Sequence, residues 1–364
     1  MIQSEKVQQV YSFIRERIDS GEFAVGDRLP TDEDFCEQFQ LSRPTVAKAM
    51  RELERLGMVE RKRRAGTFVR RRAQSAMLFG LLVPRLGTTE IFEPICAGIA
   101  KGLQQAGHSV LWASGADAKG AGADTGSDRS VIEAGLQLLS KRVSGVFFAP
   151  LELSDARDDI NSRIAEMMDK AGVPVVLLDR DYLAYPSRSG YDLVGIDNRR
   201  AGYLVAHHLL EQGAQRVAFL AHRDSADTIE ARIGGYRDAL FEAGPVKEDL
   251  VLRCSPDDGA KIKAFIKSRK PDAIMCGNDA TAAQLMQSLA KLGVSVPGDV
   301  LVAGFDDVGY AKLLSPPLTT IHQPCEAIGR AAVRLMLSRV QEPKLPARHV
   351  LIKTELIPRQ STGI

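Results

Sequence analysis

Short apolar runs alternate with helical segments through most of this chain, and this alternation limits the available folds more than any other feature. The runs occupy residues 77–83, 145–148, 173–178, 217–220, 273–276 and 300–304. Ile95, Ile99 and Leu103 mark one side of a helix after the first run, and Trp112 lies in a further apolar strand, where we expect it in the core. Alternating strands and helices predict parallel sheets with right-handed crossovers. Because nearly 290 residues exceed what one core usually accommodates, we predict an α/β body of two lobes with a cleft.

Three polar side chains stand where apolar stretches of this body end. They are Asn278, Asp306 and Gln323. Ligands of open α/β sheets bind outside the carboxyl ends of the strands, at the edge where such side chains meet. The sequence therefore predicts a small-molecule site in the cleft.

The first 70 residues show helical periodicity instead. One stripe repeats at helical spacing and contains Val7, Val10, Tyr11, Ile14 and Ile18. Thr31 then begins a second helix that runs to about Phe39, with Asp34 as its acidic partner in a capping box. After a short turn, Ser42 is a good N-cap for a third helix. The buried stripe of that helix is predicted to contain Val46, Met50, Leu53 and Leu56.

The third helix is basic on its outer face and leads into a predicted wing. The residues that face outward on it are Arg43, Ala47, Lys48 and Arg51. Gly57 ends the helix, and residues 58–61 and 66–70 form two short strands around the basic tip 62–65. Two helices joined by a short turn and followed by such a hairpin predict a winged helix-turn-helix.

The charge distribution favours a nucleic-acid contact at this end of the chain. Residues 1–75 hold 15 Lys/Arg against 12 Asp/Glu, although all 364 residues together carry a net charge of only +2. Seven of these basic residues and no acidic residue lie in 61–72, which suits contact with phosphates. The alternative is a solvated basic linker.

Nothing in the composition suggests a secreted or membrane protein. The five cysteines, at positions 36, 96, 254, 276 and 325, form no C-x-x-C motif and no spaced Cys/His set. We therefore expect reduced, buried thiols in a cytoplasmic protein, with no metal and no cofactor. The N-terminus has the pattern of a charged amphipathic helix, and no uncharged run approaches 18 apolar residues.

The first 70 residues contain several short motifs whose combination is specific. They are Gly26-Asp27-Arg28-Leu29-Pro30, Ser42-Arg43, Leu53-Glu54, Gly57-Met58-Val59-Glu60 and Gly66-Thr67-Phe68-Val69. With them, residues 5–70 resemble the DNA-binding domain of the GntR family. The resemblance implies base reading by the start of the third helix, and contact with the backbone or minor groove by the wing and the segment before the second helix. The residues that it assigns to DNA binding are Arg28, Arg43, Pro44, Thr45, Lys48, Arg64 and Gly66.

Three positions depart from that family pattern. Many relatives have arginine where this chain has Glu33 and Ala47, and the usual first glycine of the wing is Arg64 here. The operator sequence therefore does not transfer from relatives. For Arg43 the alternative role is a surface salt bridge, and for residues 62–64 it is general attraction to phosphates without base reading.

The body carries a second set of motifs over residues 78–362. They are Val173 through Arg180, Asp197-Asn198, Arg232-x-x-Gly235-Tyr236, Asn278-Asp279, Gly304-Phe305-Asp306-Asp307, and Ser315 through Pro324. This set resembles the LacI/GalR regulators and the periplasmic sugar-binding proteins. A GntR-type head on such a body is similar to the arrangement of arabinose repressors, although the short basic linker has no counterpart of the LacI-family hinge helix.

The resemblance implies a sugar pocket, and its residues suit that chemistry. The assigned residues are Phe92, Asp179, Arg180, Arg232, Asn278, Asp306 and Gln323. Carboxylates accept from vicinal hydroxyls, guanidinium groups donate in fixed forks, and carboxamides do both. Residues 88–92 depart from the common Asn-Pro-aromatic-aromatic pattern, so one stacking ring is lost. The alternatives are that Arg180 only pairs with Asp179, and that Asp197 and Asp307 only cap a helix or turn.

Together these features predict a ligand-responsive DNA-binding transcriptional regulator, a repressor relieved by a sugar or sugar-like effector. The predicted domains are a head (1–70), a linker (71–77) and an effector-binding and dimerisation domain (78–364). A homodimer would read a two-fold symmetric operator. An enzyme is the first alternative, but the common nucleophile, phosphate-loop, zinc and dinucleotide motifs are absent. A transport receptor is the second. Pentoses, hexoses, sugar acids and purines all remain open as effectors.

Overall fold

A computed structural model describes residues 5–62, 65–70, 76–83, 90–113, 125–223, 225–245 and 248–363. The chain divides into two compact units, Met1–Met77 and Leu78–Ile364, which are called the head and the body below. Most of the predicted linker 71–77 and the predicted DNA contact Arg64 lie outside the described residues. No helix within these ranges is both long and apolar enough to cross a membrane.

The head contains the predicted helices. They are α1 (Glu5–Ser20), α2 (Asp32–Phe39) and α3 (Arg43–Arg55). The apolar stripe of α1 is buried in full against α3, which confirms the helical periodicity. Thr31 and Asp34 form the predicted capping box, because each side chain accepts a hydrogen bond from the other residue's backbone N–H. Ser42 occupies the N-cap position of α3, but its hydroxyl lies 2.9 Å from that of Thr45 and does not cap the helix.

A two-stranded wing completes the head. Strands β1 (Val59–Lys62) and β2 (Gly66–Val69) pair antiparallel. Arg28 forms a bridge with Phe68, so the segment before α2 lies against the wing. The guanidinium of Arg61 binds the carboxylate of Asp32 at 2.5 Å and thereby ties the wing to the first turn of α2. The predicted winged helix-turn-helix is therefore present.

The body alternates strands and helices. In chain order its elements are β3 (Leu78–Leu82), α4 (Phe92–Gln105), β4 (Ser109–Ala113), α5 (Thr125–Ser140), β5 (Val146–Phe148), α6 (Arg157–Ala171), β6 (Val175–Leu178), β7 (Asp192–Ile196), α7 (Asn198–Glu211), β8 (Val217–Ala221), α8 (Asp227–Ala243), β9 (Val251–Arg253), α9 (Gly259–Arg269), β10 (Ala273–Cys276), α10 (Asp279–Lys291), β11 (Leu301–Ala303), β12 (Thr320–His322), α11 (Cys325–Gln341), β13 (His349–Ile352) and β14 (Glu355–Ile357).

Two parallel sheets form the cores of the two lobes. In the described part of the chain, the first lobe has six strands in the order β13-β7-β6-β5-β3-β4, and the second has four in the order β11-β10-β8-β9. Each sheet packs its helices around a separate cluster of buried apolar residues. The chain passes between the lobes after β7, after β12 and after β13, and β12 pairs with β14 beside these passages. The predicted two-lobed α/β body is confirmed.

Trp112 is not a core residue, so that prediction was wrong. It lies on β4, the edge strand of the larger sheet, and 40% of it is exposed. Strands at an edge are covered on fewer sides than central strands. An apolar stretch predicts the strand correctly, but only the strand order determines how much of each side chain is covered.

Candidate functional site

The turn after β11 carries Asp306 on a strained backbone. Asp306 has φ 119° and Asp307 has φ 55°, both in the left-handed region that few non-glycine residues adopt. The buried carboxylate of Asp279 holds this turn, because it accepts hydrogen bonds from Val308 N at 3.0 Å and from the hydroxyl of Thr320 at 2.7 Å. Burial raises the pKa of Asp279 to about 7. Strain supported by dense hydrogen bonding is typical of functional positions.

Asp306 meets two of the other predicted pocket residues. The side-chain amide of Gln323 donates to Asp306 Oδ1 at 2.6 Å, and Arg232 Nη2 lies 3.9 Å from the same oxygen. All three residues are buried. Burial raises the pKa of Asp306 well above its ordinary value, and the positive charge of Arg232 opposes this shift. Gln323 Oε1 is buried without a hydrogen-bond partner among the described residues.

Arg232 extends from α8 into the same cluster. Its Nε donates to Asn198 Oδ1 at 2.9 Å, and its Nη1 donates to the backbone oxygen of Gly277 at 2.6 Å. The guanidinium also lies 3.5 Å from the ring centroid of Phe305. These contacts fix the side chain, and burial lowers its pKa while the charges of Asp306 and Asp179 raise it. The positive charge of Arg232 therefore interacts with carboxylates of both lobes.

Asp179 and Arg180 follow β6 in the first lobe. Arg180 donates to Asp179 Oδ2 at 2.9 Å and to Pro150 O at 3.0 Å, and its Nη2 lies 3.1 Å from Glu152. The ring of Phe92 lies 5.4 Å from this guanidinium. Burial raises the pKa of Asp179, although the neighbouring arginines oppose it. Like Gln323 Oε1, Asp179 Oδ1 is a buried oxygen that has no hydrogen-bond partner in the described part of the chain.

A cavity of about 620 Å³ opens beside this cluster. It is lined by the first turn of α4, the turn after β11 and the passage from β12 into α11, and Asp306 and Gln323 form part of its wall. The hydroxyl of Tyr310 donates to Glu90 at 3.1 Å, so the two lobes touch at its rim. The volume is in the range of small-molecule sites.

The predicted pocket residue Asn278 and two aspartates of the motifs, Asp197 and Asp307, have structural partners. Asn278 caps α10, because its Oδ1 accepts from Thr281 N at 2.8 Å, and only its NH₂ group remains to face a ligand. Asp197 caps α7 through Arg200 N. Asp307 binds His322 and Arg359. For Asp197 and Asp307, the structure therefore shows the capping and turn-forming contacts of the alternative interpretation.

Three cluster residues were not predicted as ligand-facing. Asn198 follows Asp197 in a motif, and Phe305 precedes Asp306 in another, so both could have been found by extending those motifs. Glu152 lies in the loop after β5, and no sequence signal marks it. Its role depends on contact with Arg180, which lies 28 positions further along the chain.

The head presents a second candidate site, at the start of α3 and the wing. A surface cavity of about 340 Å³ is lined by residues that include Arg28, Arg43, Arg61, Lys62 and Gly66. Arg43 is 72% exposed and lies 3.5 Å from Glu33, which is the salt bridge of the alternative interpretation. Exposed pairs of this kind contribute little to stability, so Arg43 can exchange this partner for another anion.

The remaining predicted DNA contacts lie on the same face or beyond the described residues. Pro44 and Lys48 are exposed on α3, and Thr45 is half-buried. Gly66 has φ 107°, and a Cβ there would meet the Nε atom of Arg28 at 2.7 Å. The wing and Arg28 are thus in direct contact, whereas Arg64 is outside the described residues.

Two protein-family models match separate parts of this chain. Residues 6–69 match the family model of bacterial regulatory proteins, gntR family, and residues 206–362 match that of the periplasmic binding protein-like domain. The chain is 25% identical to an arabinose metabolism transcriptional repressor of Geobacillus stearothermophilus over 98% of this chain and 97% of that protein.

Two further proteins are similar to a large part of this chain. The HTH-type transcriptional repressor PurR of Vibrio atlanticus is 31% identical over 62% of this chain and 66% of its own length. A LacI family transcriptional regulator from Enterococcus faecium, solved with bound ribose, has a TM-score of 0.62 and 26% identity, covering 78% of this chain and 98% of its own.

Proposed function

Since this chain is a transcriptional regulator that joins a gntR-family DNA-binding domain to a periplasmic binding protein-like body, we propose that a sugar or sugar-like effector binds between its lobes and relieves repression. Its relatives are transcriptional regulators, so the chain is not an enzyme. A ligand-responsive repressor therefore fits both domains. We further propose which residues form the effector pocket and which contact DNA.

One observation carries the pocket assignment. Asp179 Oδ1 and Gln323 Oε1 are buried without hydrogen-bond partners among the described residues. A buried polar atom without a partner costs about 1–3 kcal/mol, and ligand hydroxyls that donate to these oxygens would recover it. One of these residues belongs to the first lobe and the other to the passage between lobes. A ligand that satisfies both would favour one arrangement of the two lobes over others.

The head provides the DNA contacts in this proposal. Arg43, Pro44, Thr45 and Lys48 at the start of α3 would enter the major groove, while Arg28, Arg64 and Gly66 would meet the backbone or the minor groove. We propose that a cytoplasmic homodimer binds a two-fold symmetric operator with half-sites roughly 34 Å apart or a multiple of it. Effector and operator then bias one equilibrium, so their coupling is reciprocal.

The test uses the full chain and its own upstream promoter region at low ionic strength. We expect a retarded complex in a band-shift assay, and release of that complex by one member of a panel of sugars. The same sugar should raise the thermal unfolding midpoint, because a ligand that binds only the folded state stabilises it. A chain that ignores this DNA at low salt would contradict the proposal, whatever sugars it binds.

A further inference from the structure

Most guanidinium nitrogens of the pocket arginines already have a partner within the protein. Each guanidinium nitrogen of Arg180 has a partner: Nε faces Pro150 O, Nη1 faces Asp179 and Nη2 faces Glu152, at 2.9–3.1 Å. An anionic ligand group could bind without displacement only through the second N–H of Nη1 or Nη2, next to the carboxylates that these nitrogens already face. Displacing a buried carboxylate from its arginine is costly, because it leaves that carboxylate buried and unpaired.

Arg232 is committed in the same way. Nε donates to Asn198, Nη1 donates to Gly277 O, and Nη2 faces Asp306 at 3.9 Å. The ring of Phe305 covers one face of the guanidinium. The exception is Nη2, whose contact with Asp306 is longer than a hydrogen bond, so this is the nitrogen that Arg232 can offer to a ligand. The forked donation to ligand hydroxyls that the sequence predicts for this residue is largely used within the protein.

The atoms that lack partners are all of one kind. Asp179 Oδ1 and Gln323 Oε1 are acceptors, and no buried donor of the pocket is unpartnered among the described residues. The surroundings of the two arginines have the same bias, because three carboxyl groups, those of Asp179, Glu152 and Asp306, lie against them. A ligand that fits must donate hydrogen bonds to the two unpartnered oxygens, and an anionic group on it would lie beside three carboxyl groups.

The wall of the adjoining cavity also holds more acidic than basic side chains. The carboxylates on its wall are those of Glu90, Glu93, Asp306, Asp307 and Glu326. Arg330 is on the same wall but binds Glu326 at 3.2 Å, and His322 binds Asp307 at 2.9 Å. Arg330 is the one guanidinium on this described wall, and an anion would have to compete with Glu326 for it.

From these contacts we propose that the pocket selects an uncharged or cationic polyol and rejects sugar acids and sugar phosphates. The inference rests on the proposed function and deepens it, because it assigns the chemical class of the effector. Like charges brought together in a desolvated site cost several kcal/mol, so the discrimination should be large. We expect neutral sugars to bind at least about tenfold more tightly than their anionic counterparts.

Calorimetry on the full chain with matched sugars tests this proposal. The sets are glucose with glucosamine, glucuronate and glucose 6-phosphate, galactose with galacturonate, and ribose and arabinose with their 5-phosphates. Preference for a neutral or amino sugar over its matched acid supports the proposal. An anionic member that binds as tightly as its neutral counterpart would overturn it, and so would a panel in which no neutral or cationic member binds.

A charge-neutral variant gives a second readout. Glu152→Gln removes one of the three carboxyl groups that lie against the arginines, so we expect the ratio of neutral to anionic affinity to shrink by roughly tenfold. The matched control is Glu166→Gln on α6, where the exposed glutamate pairs with Lys170, and its ratio should stay that of the unmodified chain. An unchanged ratio in folded Glu152→Gln contradicts the proposal; if that variant does not fold, the ratio in the unmodified chain decides.

Measurements of operator binding distinguish a failure of the proposed charge selection from a failure of the proposed function. Release of the operator by a sugar acid or sugar phosphate would keep the proposed function and overturn only the charge selection. Absence of an operator complex, together with tight binding of neutral sugars, would keep the charge selection and overturn the proposed function.

Discussion

Gln323 donates its side-chain amide hydrogen to Asp306 Oδ1 at 2.6 Å, and this leaves Gln323 Oε1 as a buried acceptor without a partner in the described part of the chain. This contact orients the amide and leaves its oxygen available to a ligand. Asp306 lies on the turn after β11, and Gln323 lies on the passage from β12 into α11. The contact joins the second lobe to the segment that connects the lobes, so a ligand that binds there would act at the junction of the two lobes.

Gln323→Met should weaken effector binding by about 2- to 10-fold, since a hydrogen bond between uncharged groups contributes about 0.5–1.5 kcal/mol. Methionine has a similar size but neither donates to Asp306 nor offers a strong acceptor. Calorimetry with the effector identified in the sugar panel measures the change. Gln137→Met, on the exposed face of α5, is the control and should bind as the unmodified chain does. Equal affinity in both variants would remove Gln323 from the site.

Arg43→Ala should reduce operator affinity by about 10- to 100-fold, because loss of one base contact costs about 1–3 kcal/mol. Its only described ion pair, with Glu33, is exposed on both sides, so the unfolding midpoint of the head should change little. Band shifts at fixed salt measure the affinity. Arg163→Ala removes the same charge from the exposed surface of α6 and should leave the complex intact. Similar losses in both variants would indicate general charge attraction instead of base reading.

Gly66→Ala and Gly26→Ala separate wing geometry from backbone strain. Both glycines have positive φ, at 107° and 96°, so alanine should cost each about 1–2 kcal/mol of stability. A Cβ at Gly66 would also push against Arg28, whereas a Cβ at Gly26 meets nothing within 4 Å. We therefore expect operator affinity to fall only in Gly66→Ala. Equal operator affinities in band shifts would show that the position of Arg28 is unimportant for DNA binding.

Asp279→Asn should flatten the dependence of stability on pH between about pH 4 and pH 7. In the unfolded chain this carboxyl ionises near 3.8, but burial raises its folded-state pKa to about 7. Because the folded state holds the proton more tightly, the stability from this group is complete below pH 4 and is lost as pH rises to about 7. Urea unfolding of the full chain at several pH values measures the free energy of unfolding.

Comparing the unmodified chain with Asp279→Asn separates the effect of the Asp279 carboxyl from that of its neighbours. The titratable groups that interact with Asp279 are Cys276, Asp306, Asp307 and Tyr310. All of them are present in both proteins, so their direct contributions cancel to first order in the difference. Parallel curves for the unmodified chain and Asp279→Asn would contradict the raised pKa.

The sequence predicted those helices and strands that are marked by patterns of neighbouring residues. The stripe of α1 and the capping box of α2 follow from spacing alone, because residues three and four apart share one face of a helix. Most central strands were found as apolar runs, since strands covered on both faces are apolar throughout. Strand β7 was missed because it begins with Asp192, which is fully buried but paired with Arg339 and Arg348 from more than 140 positions later.

The sequence by itself determined which residue types meet at the cleft, since polar residues after buried strands of parallel sheets converge on one edge. Only the tertiary structure decided what each of those groups can do there. Arg180 and Arg232 carry donors in any context, but Pro150, Glu152, Asn198 and Gly277 occupy them in the folded body. A hydrogen bond depends on distances between residues far apart in the chain, and sequence spacing does not contain those distances.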